Sequence, residues 1–212
     1  RILKELDKRK MYHVRFIYNT NFSKSKFKGT DIFELWNKFD SVSIGASLDA
    51  EGSRAELMRK GTKWNDILAN RKRMLEVCPQ VDFYISATVG LSNSLHVVDF
   101  HRNWVEQGLI KPQDFNFNLL QYPLWQRMDL LPQEYKEQVT EKYKTHMEWL
   151  RKQDHLTRAI KGFESALDWM NKKDMSKHMQ TFVTETRKYD KIRDENFTDV
   201  FPEWKELFSK YE

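Results

Sequence analysis

A serine, an aspartate and an arginine follow one short apolar segment and together could bind a carboxylate. Ser47 and Asp49 stand at the end of a segment that alternates apolar with small polar residues, and Arg59 comes a little later. A guanidinium group binds a carboxylate through two parallel N–H donors, and a serine hydroxyl supplies another donor. On spacing alone, a solvated Arg59 paired with Glu51 or Glu56 is the better interpretation, since most arginines lie at the surface.

Polar side chains also follow the other segments that are predicted to be strands. In parallel α/β folds, ligands bind at the carboxyl ends of the strands, so these positions are candidates for a binding site. The additional positions carry amides, hydroxyls and a phenol: Asn19, Thr20, Asn21, Thr88, Ser92, Asn93, Gln121 and Tyr122. This set favours a polar ligand that is held by hydrogen bonds.

The first part of the chain alternates predicted strands with predicted helices. The strands are expected at Val14–Thr20, Val42–Leu48, Val81–Val89 and Asp114–Leu120. The helices between them are expected at Asp31–Phe39, Trp64–Val77 and Leu95–Glu106. This alternation favours parallel strands joined by right-handed crossovers. Three of the strands carry small polar residues on one face, which is typical of a barrel with a polar interior; an antiparallel sheet with one wet face is the alternative.

The rest of the chain is predicted to be helical. Three segments are expected at Gln133–Lys152, His155–Asn171 and Met175–Asn196. We therefore predict an α/β fold in which residues 1–132 form part of a (β/α) barrel with about four parallel strands. Residues 133–212 are predicted to form an all-helical C-terminal extension.

Composition and charge exclude several classes of protein. The chain carries 36 Lys and Arg against 31 Asp and Glu, a formal net charge of +5, which does not by itself indicate nucleic acid. No apolar run approaches the roughly 20 residues of a membrane span, so no membrane is expected as a partner. The single Cys78 excludes an intrachain disulfide and is typical of a reducing compartment, which predicts a cytoplasmic protein.

Other catalytic and binding motifs are weak. The glycines match neither a phosphate loop nor a dinucleotide fingerprint, and no Gly-x-Ser-x-Gly nucleophile elbow occurs. His96 and His101 do not share a helix face in the way that metal ligands would, and they are interpreted as ordinary helix residues. Lys24, Lys26 and Lys28 are interpreted as a solvated basic loop, so nucleic acid is not the expected partner.

The order of the motifs resembles the later part of radical S-adenosylmethionine (SAM) enzymes, in particular those with a twitch domain, a short auxiliary-cluster module. The Thr-Asn-Phe at 20–22 is similar to the Thr-Asn-Gly that follows the third barrel strand in that family. The Ser-Leu-Asp-Ala at 47–50 is similar to Ser-Ile-Asp-Gly of the fourth strand, and the Arg-Lys-Gly at 59–61 to the Arg-x-Gly after it.

The resemblance continues through the fifth and sixth strands. The Val-Gly-Leu-Ser-Asn at 89–93 resembles the end of the fifth strand. The Leu-Leu-Gln-Tyr-Pro-Leu at 119–124, with Leu-Pro at 131–132, resembles the sixth. The likeness covers roughly residues 11–135, and it is the order and spacing of the motifs that make it specific.

The resemblance implies that SAM is the cofactor and assigns roles to individual residues. Ser47 and Arg59 would hold the methionyl carboxylate of SAM. The residues implied to line its sulfonium and ribose region are Asn21, Thr88 and Asn93. The residues implied to lie nearer the substrate are Asp49, Gln121 and Tyr122. The substrate itself is unknown, and a peptide is one candidate.

The resemblance also implies a [4Fe-4S] cluster, which an electron-donor protein reduces and which cleaves SAM to a 5′-deoxyadenosyl radical. The family's Cys-x-x-x-Cys-x-x-Cys and Gly-Gly-Glu motifs do not occur in this sequence. The chain opens at Arg1 in what is predicted to be the middle of an amphipathic helix. We therefore expect the C-terminal part of a longer enzyme, with the cluster ligands upstream, and an isolated piece that is inactive.

Two other functions stay open at this point. A degenerate barrel with a helical tail could be a non-catalytic interaction or nucleic-acid-binding module. Alternatively, Asp49 and Glu56 could supply the two carboxylates of a hydrolase. Three cysteines with the family spacing in the preceding sequence would favour the radical enzyme, and their absence would favour the binding module.

Overall fold

A parallel sheet organises the first half of the molecule, as seen in a computed structural model that describes residues 2–153 and 158–211. The strands of these residues are β1 (Phe16–Thr20), β2 (Lys26–Phe27), β3 (Thr30–Asp31), β4 (Val42–Ala46), β5 (Asp82–Val89) and β6 (Phe115–Leu119). β1, β4, β5 and β6 form a four-stranded parallel sheet in this order. β2 and β3 pair separately as a small antiparallel hairpin.

The helices lie between these strands and after the last of them. The α-helices of the described residues are α1 (Ile2–Lys8), α2 (Ile32–Trp36), α3 (Gly52–Met58), α4 (Trp64–Val77), α5 (Val97–Glu106), α6 (Gln133–Lys152), α7 (Arg158–Lys172), α8 (Met179–Arg193), α9 (Phe197–Val200) and α10 (Lys205–Tyr211). Within these described residues, no helix combines the length and the apolar character that a membrane crossing needs.

The sheet has one apolar face and one polar face. Alternate residues of β5 are buried: Phe83, Ile85, Ala87 and Val89. The parallel register puts apolar residues of the neighbouring strands on the same face, since Ile44 lies beside Phe83 and Ile85 lies beside Phe115. The crossover helices pack on this face in one hydrophobic core, and Arg71 of α4 lies over the Phe83 ring. Right-handed connections between consecutive parallel strands put the helices on one side of the sheet, which leaves the polar face uncovered by them.

The α/β class, the four parallel strands and the helical C-terminal region are confirmed. The antiparallel alternative is wrong, because the three ladders of the main sheet are parallel. The strands are one or two residues shorter than predicted. Closure of the sheet into part of a barrel stays a prediction, as does the division into residues 1–132 and 133–212.

Helix α3 and the β2–β3 hairpin were not predicted. α3 lies between β4 and α4 and ends just before Arg59, so it determines where this arginine stands relative to the end of β4. The backbone N–H of Trp64 at the start of α4 donates to Oε1 of Glu56 at 2.7 Å. A side chain from α3 therefore satisfies a free N–H group at the beginning of α4.

The C-terminal helices pack on the sheet and extend its core. α7 runs against β6, where a Cβ built on Gly162 would lie only 2.5 Å from Cβ of Phe117. The Trp204 indole N–H donates to the carbonyl of Ser92 at 2.9 Å, so the end of the chain contacts the loop after β5. Residues 155–157 of one predicted helix, and Arg1 of another, lie outside the described residues. The helix expected from Met175 begins at Met179, after a short 3₁₀ turn.

Candidate functional site

A bidentate ion pair joins Asp49 and Arg59 beside the carboxyl ends of β4 and β5. Nε of Arg59 lies 2.6 Å from Oδ2 of Asp49, and Nη2 lies 3.1 Å from Oδ1. The backbone N–H of Thr88 donates to the same Oδ1 at 2.8 Å. Asp49 is only 7% exposed, whereas 35% of the Arg59 side chain is accessible. The buried carboxylate thus orients a guanidinium group that solvent and ligands can reach.

Asn93 ties the two strand ends together. Its Nδ2 donates to the carbonyl of Asp49 at 2.7 Å and to the carbonyl of Thr88 at 3.0 Å. Its Oδ1 accepts a hydrogen bond from the N–H of Gly90 at 2.9 Å. The side chain is fully buried, so these contacts replace the water that the backbone groups would otherwise bind. Asn93 therefore holds the backbone on both sides of the ion pair.

The expected surface pairing of Arg59 with Glu51 or Glu56 is wrong. Glu51 accepts instead from the Asn103 amide at 2.7 Å, and burial raises the pKa of its carboxyl. Glu56 accepts from the backbone of α4, as described above. Arg59 pairs with Asp49 because α3 and the turn after it bring the chain back to the end of β4. The two carboxylates that a hydrolase could use are engaged separately, Asp49 by Arg59 and Thr88 and Glu56 by the backbone N–H of Trp64.

Ser47 and Asn21 lie at the neighbouring ends of β4 and β1. The Ser47 N–H donates to the carbonyl of Thr20 at 2.8 Å, which continues the ladder beyond the last residue of β4. The Ser47 hydroxyl has no hydrogen-bond partner among the described residues and is free to donate. Oδ1 of the exposed Asn21 accepts from the Ser23 hydroxyl at 2.9 Å in an Asx turn.

Phe22 lies at the position where the similar radical SAM motif has glycine, and its backbone adopts a conformation that is typical of glycine. Its φ is 57°, in the left-handed region that residues with a Cβ rarely adopt. The N–H of Phe22 donates to Oγ1 of Thr20 at 3.1 Å, and the ring is 3% exposed. The ring packs on Phe83 and Phe33 of the core, with centroids 5.0 and 6.0 Å away. Burial of the ring offsets the strain of the backbone.

The polar face of the sheet is built around Gly45. A Cβ at this position would lie 2.1 Å from Oδ1 of Asn19 and 2.9 Å from ring carbons of Tyr84, so these two side chains meet above the glycine. Nearer the edge strand β6, the Asn118 amide donates to the Ser86 hydroxyl at 3.1 Å. The face therefore presents amides, hydroxyls and a phenol to a ligand.

His101 and His146 form a buried pair that the sequence did not indicate. Nε2 of His101 lies 3.1 Å from the carbonyl of Pro112, and Nδ1 lies 3.0 Å from Nε2 of His146. A carbonyl only accepts, so Nε2 of His101 carries its proton and Nδ1 accepts from His146. Burial lowers the pKa of both, that of His146 to about 4. The available signal was position, since His101 follows Val97 by one turn on an apolar helix face.

His96 is also buried and engaged in polar contacts. Its Nδ1 lies 2.6 Å from Nη1 of Arg54, which can only donate, so Nδ1 is the acceptor; its Nε2 lies 3.4 Å from the backbone nitrogen of Glu51. Burial, aided by the charge of Arg54, lowers the pKa of His96 to about 4. The interpretation of His96 and His101 as ordinary helix residues therefore missed two buried polar clusters.

The side chains of this chain differ in how well they suit SAM and an iron–sulfur cluster. In residues 2–153 and 158–211, no three His, Cys, Asp or Glu side chains converge in a way that could hold a metal ion. Cys78 is buried, and burial raises the pKa of its thiol to about 11, whereas a thiolate is the metal-binding form. Cys78 therefore does not fit the cluster. The donors at Arg59 and Ser47 do fit a carboxylate, because Nη1 of Arg59 has no partner in the described part of the chain.

The structure thus brings four predicted site residues into one network and leaves the others around it. Those in the network are Asp49, Arg59, Thr88 and Asn93. Ser47 and Asn21 lie at adjoining strand ends, whereas Gln121 and the 79%-exposed Tyr122 lie at the surface after β6. Gln121 lines an open groove of about 470 Å³ with Asn118 and Arg158.

Comparison of the chain with protein-family models, curated protein sequences and solved structures gave no match.

Proposed function

We propose that this chain is the carboxyl-terminal part of a radical SAM enzyme and that it binds SAM at the carboxyl ends of its parallel strands. Ser47 and Arg59 hold the methionyl carboxylate, while Asn21, Thr88 and Asn93 line the sulfonium and ribose. The sheet forms part of a (β/α) barrel with its polar face inward. The ligands of the [4Fe-4S] cluster belong to a part of the protein outside this chain. The substrate, for which a peptide is the leading candidate, donates a hydrogen atom.

One observation carries the proposal: residues from three separate motifs meet in a single hydrogen-bonded network. Asp49 and Arg59 come from two motifs around β4, and Asn93 comes from the motif after β5. Asn93 lies 44 residues beyond Asp49 in the chain, and its amide donates to the Asp49 carbonyl. An accidental resemblance gives no reason for these positions to converge at the ligand-binding edge of a parallel sheet. Their convergence therefore supports the resemblance.

Asp49 is a positioning residue in this proposal. Its carboxylate accepts from Nε and Nη2 of Arg59 and leaves Nη1 for a ligand oxygen. Because the pair is close to neutral, affinity for a carboxylate depends on the direction of the donors more than on net charge. The Ser47 hydroxyl, which has no partner among the described residues, supplies a second donor at the end of β4. The role of Asp49 near the substrate stays a prediction.

Binding of SAM to this chain is the direct test, measured by isothermal titration calorimetry. The Arg59→Lys variant keeps the charge but loses both the bidentate pairing with Asp49 and the Nη1 donor, and we expect SAM binding at least tenfold weaker, about 1.4 kcal/mol. Ser47→Ala removes a hydroxyl that has no partner in the described residues, so it should weaken SAM binding and leave the fold intact.

Two controls make the result specific. Arg102→Lys alters an exposed arginine that pairs with Glu106 on α5, and it should leave SAM affinity unchanged. Circular dichroism of each variant reports whether the fold is retained. Unchanged SAM affinity in folded Arg59→Lys and Ser47→Ala would remove both residues from the site. Failure of the unaltered chain to bind SAM would contradict the proposed cofactor.

The enzymatic part of the proposal is tested on the full-length protein. After anaerobic reconstitution with iron and sulfide, and reduction by an electron donor, it should form 5′-deoxyadenosine from SAM. The amount is measured by liquid chromatography with mass spectrometry. If the protein binds SAM but forms no 5′-deoxyadenosine, it is a SAM-binding module, and the proposed enzymatic activity is contradicted.

A non-catalytic binding module is the second candidate, and the β2–β3 hairpin favours it. Phe27 at the hairpin is 73% exposed, and Nζ of Lys28 lies 5.6 Å from the centre of its ring. Lys24 and Lys26 precede Phe27 in the chain, and exposed aromatic and basic side chains together can bind single-stranded nucleic acid. Fluorescence anisotropy with a labelled single-stranded RNA tests this candidate. Binding that is lost in Phe27→Ala would support it, and no binding at low salt would exclude it.

A further inference from the structure

A groove of about 320 Å³ lies between α8 and the loop that follows β6, apart from the polar face. The loop after β6 supplies Trp125 and Gln126, and α8 supplies Tyr189 and Arg193. Met58 and Ser92 close the groove on the side of the sheet. The volume is within the range of about 300–1,000 Å³ that is usual for small-molecule sites.

One wall of the groove is aromatic. The rings of Trp125 and Tyr189 are stacked, with centroids 6.1 Å apart and planes inclined by 26°. Cζ of Arg193 lies 4.9 Å from the centre of the Tyr189 ring. Two rings and a guanidinium plane therefore line one side, and such surfaces bind a further flat ring by stacking and by cation–π contact.

Among the described residues, one positive charge in the groove has no ion-pair partner. Asp190 accepts from the N–H of Phe197 at 2.9 Å and pairs with Arg187. Glu195 pairs with Lys60. Both acids that line the groove thus have partners, whereas Arg193 forms no ion pair within the described residues. The remaining charge at the aromatic wall favours an anion.

Polar groups complete the lining. The Gln126 amide and the Ser92 hydroxyl have no hydrogen-bond partners among the residues that the structure describes. The Ser92 carbonyl, by contrast, is occupied by Trp204, which fixes the loop. An aromatic wall, a few free polar groups and one charge are together the kind of lining that orients a small ligand.

We propose that this groove binds an aromatic monoanion, with its ring against Trp125 and Tyr189 and its anionic group on Arg193. The proposal does not depend on SAM binding at the polar face. The groove is nonetheless adjacent to that site, since Met58 and Ser92 directly precede Arg59 and Asn93 in the chain. A ligand in the groove therefore contacts the backbone that carries the Asp49–Arg59–Asn93 network.

Indole-3-acetate, an aromatic monoanion, is the probe, and saturation-transfer-difference NMR with a titration gives its affinity. The neutral analogue indole-3-ethanol reports the stacking contribution alone. The unaltered protein should bind the acid at least fivefold more tightly than the alcohol. In Arg193→Gln this preference should disappear, because the difference arises from the charge of Arg193.

Arg102→Gln is the matched control, since Arg102 is also exposed and lies 5.1 Å from the ring of Trp149 on α6, outside the groove. It should keep the preference for the acid. Trp125→Phe, which keeps an aromatic ring in the wall, should weaken both probes without unfolding the protein. Absence of binding by the unaltered protein, or equal affinity for the two probes, would overturn the proposal. A preference that survives Arg193→Gln would overturn it as well.

Discussion

Phe22 illustrates how a single residue combines a strained backbone with a buried side chain. Its left-handed φ disfavours every residue that has a Cβ, by roughly 1–2 kcal/mol. Its ring is buried against Phe33 and Phe83, and loss of such a ring costs about 3–5 kcal/mol. The stabilisation from the ring exceeds the backbone cost, so phenylalanine is tolerated where the family motif has glycine.

This balance predicts that Phe22→Gly gives a more stable protein than Phe22→Ala, which is the reverse of the order expected inside a helix. Both Phe22→Ala and Phe22→Gly lose the ring, but only glycine relieves the backbone, so Phe22→Gly should be the more stable by about 0.5–1 kcal/mol. Urea unfolding measures both. Phe163 in the middle of α7 is the matched control, because there the glycine variant should be less stable than the alanine variant by about 1 kcal/mol. The same order at both positions would contradict the strain at Phe22.

At the scale of elements, α7 and β6 form a close contact that depends on one glycine. Gly162 allows the helix backbone to approach β6, where Phe117 occupies the space of the missing Cβ. The Arg158 guanidinium at the start of α7 also donates to Oδ1 of Asn116 at 3.1 Å, on the polar side of β6. α7 thus contacts both faces of the strand at the end of the sheet. A covered edge is protected from pairing with other strands.

Gly162→Ala should therefore destabilise the protein, although alanine is the better helix former. The propensity gain is about 1 kcal/mol, whereas the Cβ would meet Phe117 at 2.5 Å, and overpacking of this kind costs about 1–3 kcal/mol. We expect a net loss of up to about 2 kcal/mol, measured by urea unfolding. Ser165→Ala on the exposed side of the same helix should be neutral or slightly stabilising. A stabilised Gly162→Ala variant would show that the helix lies further from β6.

At the scale of the whole molecule, buried histidines connect the sheet layer to the C-terminal helices. His101 of α5 contacts His146 of α6, and His96 contacts Arg54, whose guanidinium also donates to Glu203 near the end of the chain at 2.9 Å. Charging any of these imidazoles would place a cation in a buried interface. The junction between the two parts of the molecule is therefore expected to depend on pH.

Stability should fall as the pH is lowered from about 6.5 towards 4. The pKa values of His96 and His146 are lowered to about 4 in the folded protein, and that of His101 is also lowered, from an ordinary value of 6.5. In this window the unfolded chain binds more protons, so each histidine reduces stability by up to about 1.4 kcal/mol per pH unit. Urea unfolding at a series of pH values measures the slope.

Two further groups act in the opposite direction, and two variants isolate the histidines. Burial raises the pKa of Glu51 and Asp114, which favours the folded protein at low pH and makes the net slope smaller. His146→Leu should reduce the slope, whereas Ser165→Ala, at an exposed residue that does not titrate, should leave it unchanged. Equal stability at the two ends of the window would contradict burial of neutral histidines.

The sequence by itself determined the elements and the candidates, because period-2 and period-3.6 patterns and strand-end residue types are local properties. It predicted α4 and α6 with the observed bounds, and it identified Ser47, Asp49, Arg59 and Asn93 as site candidates. Only the tertiary structure decided that Arg59 pairs with Asp49, that His101 meets His146, and that the aromatic groove forms beside α8. Each of these contacts joins segments whose relative position depends on packing of the whole core, which no local pattern encodes.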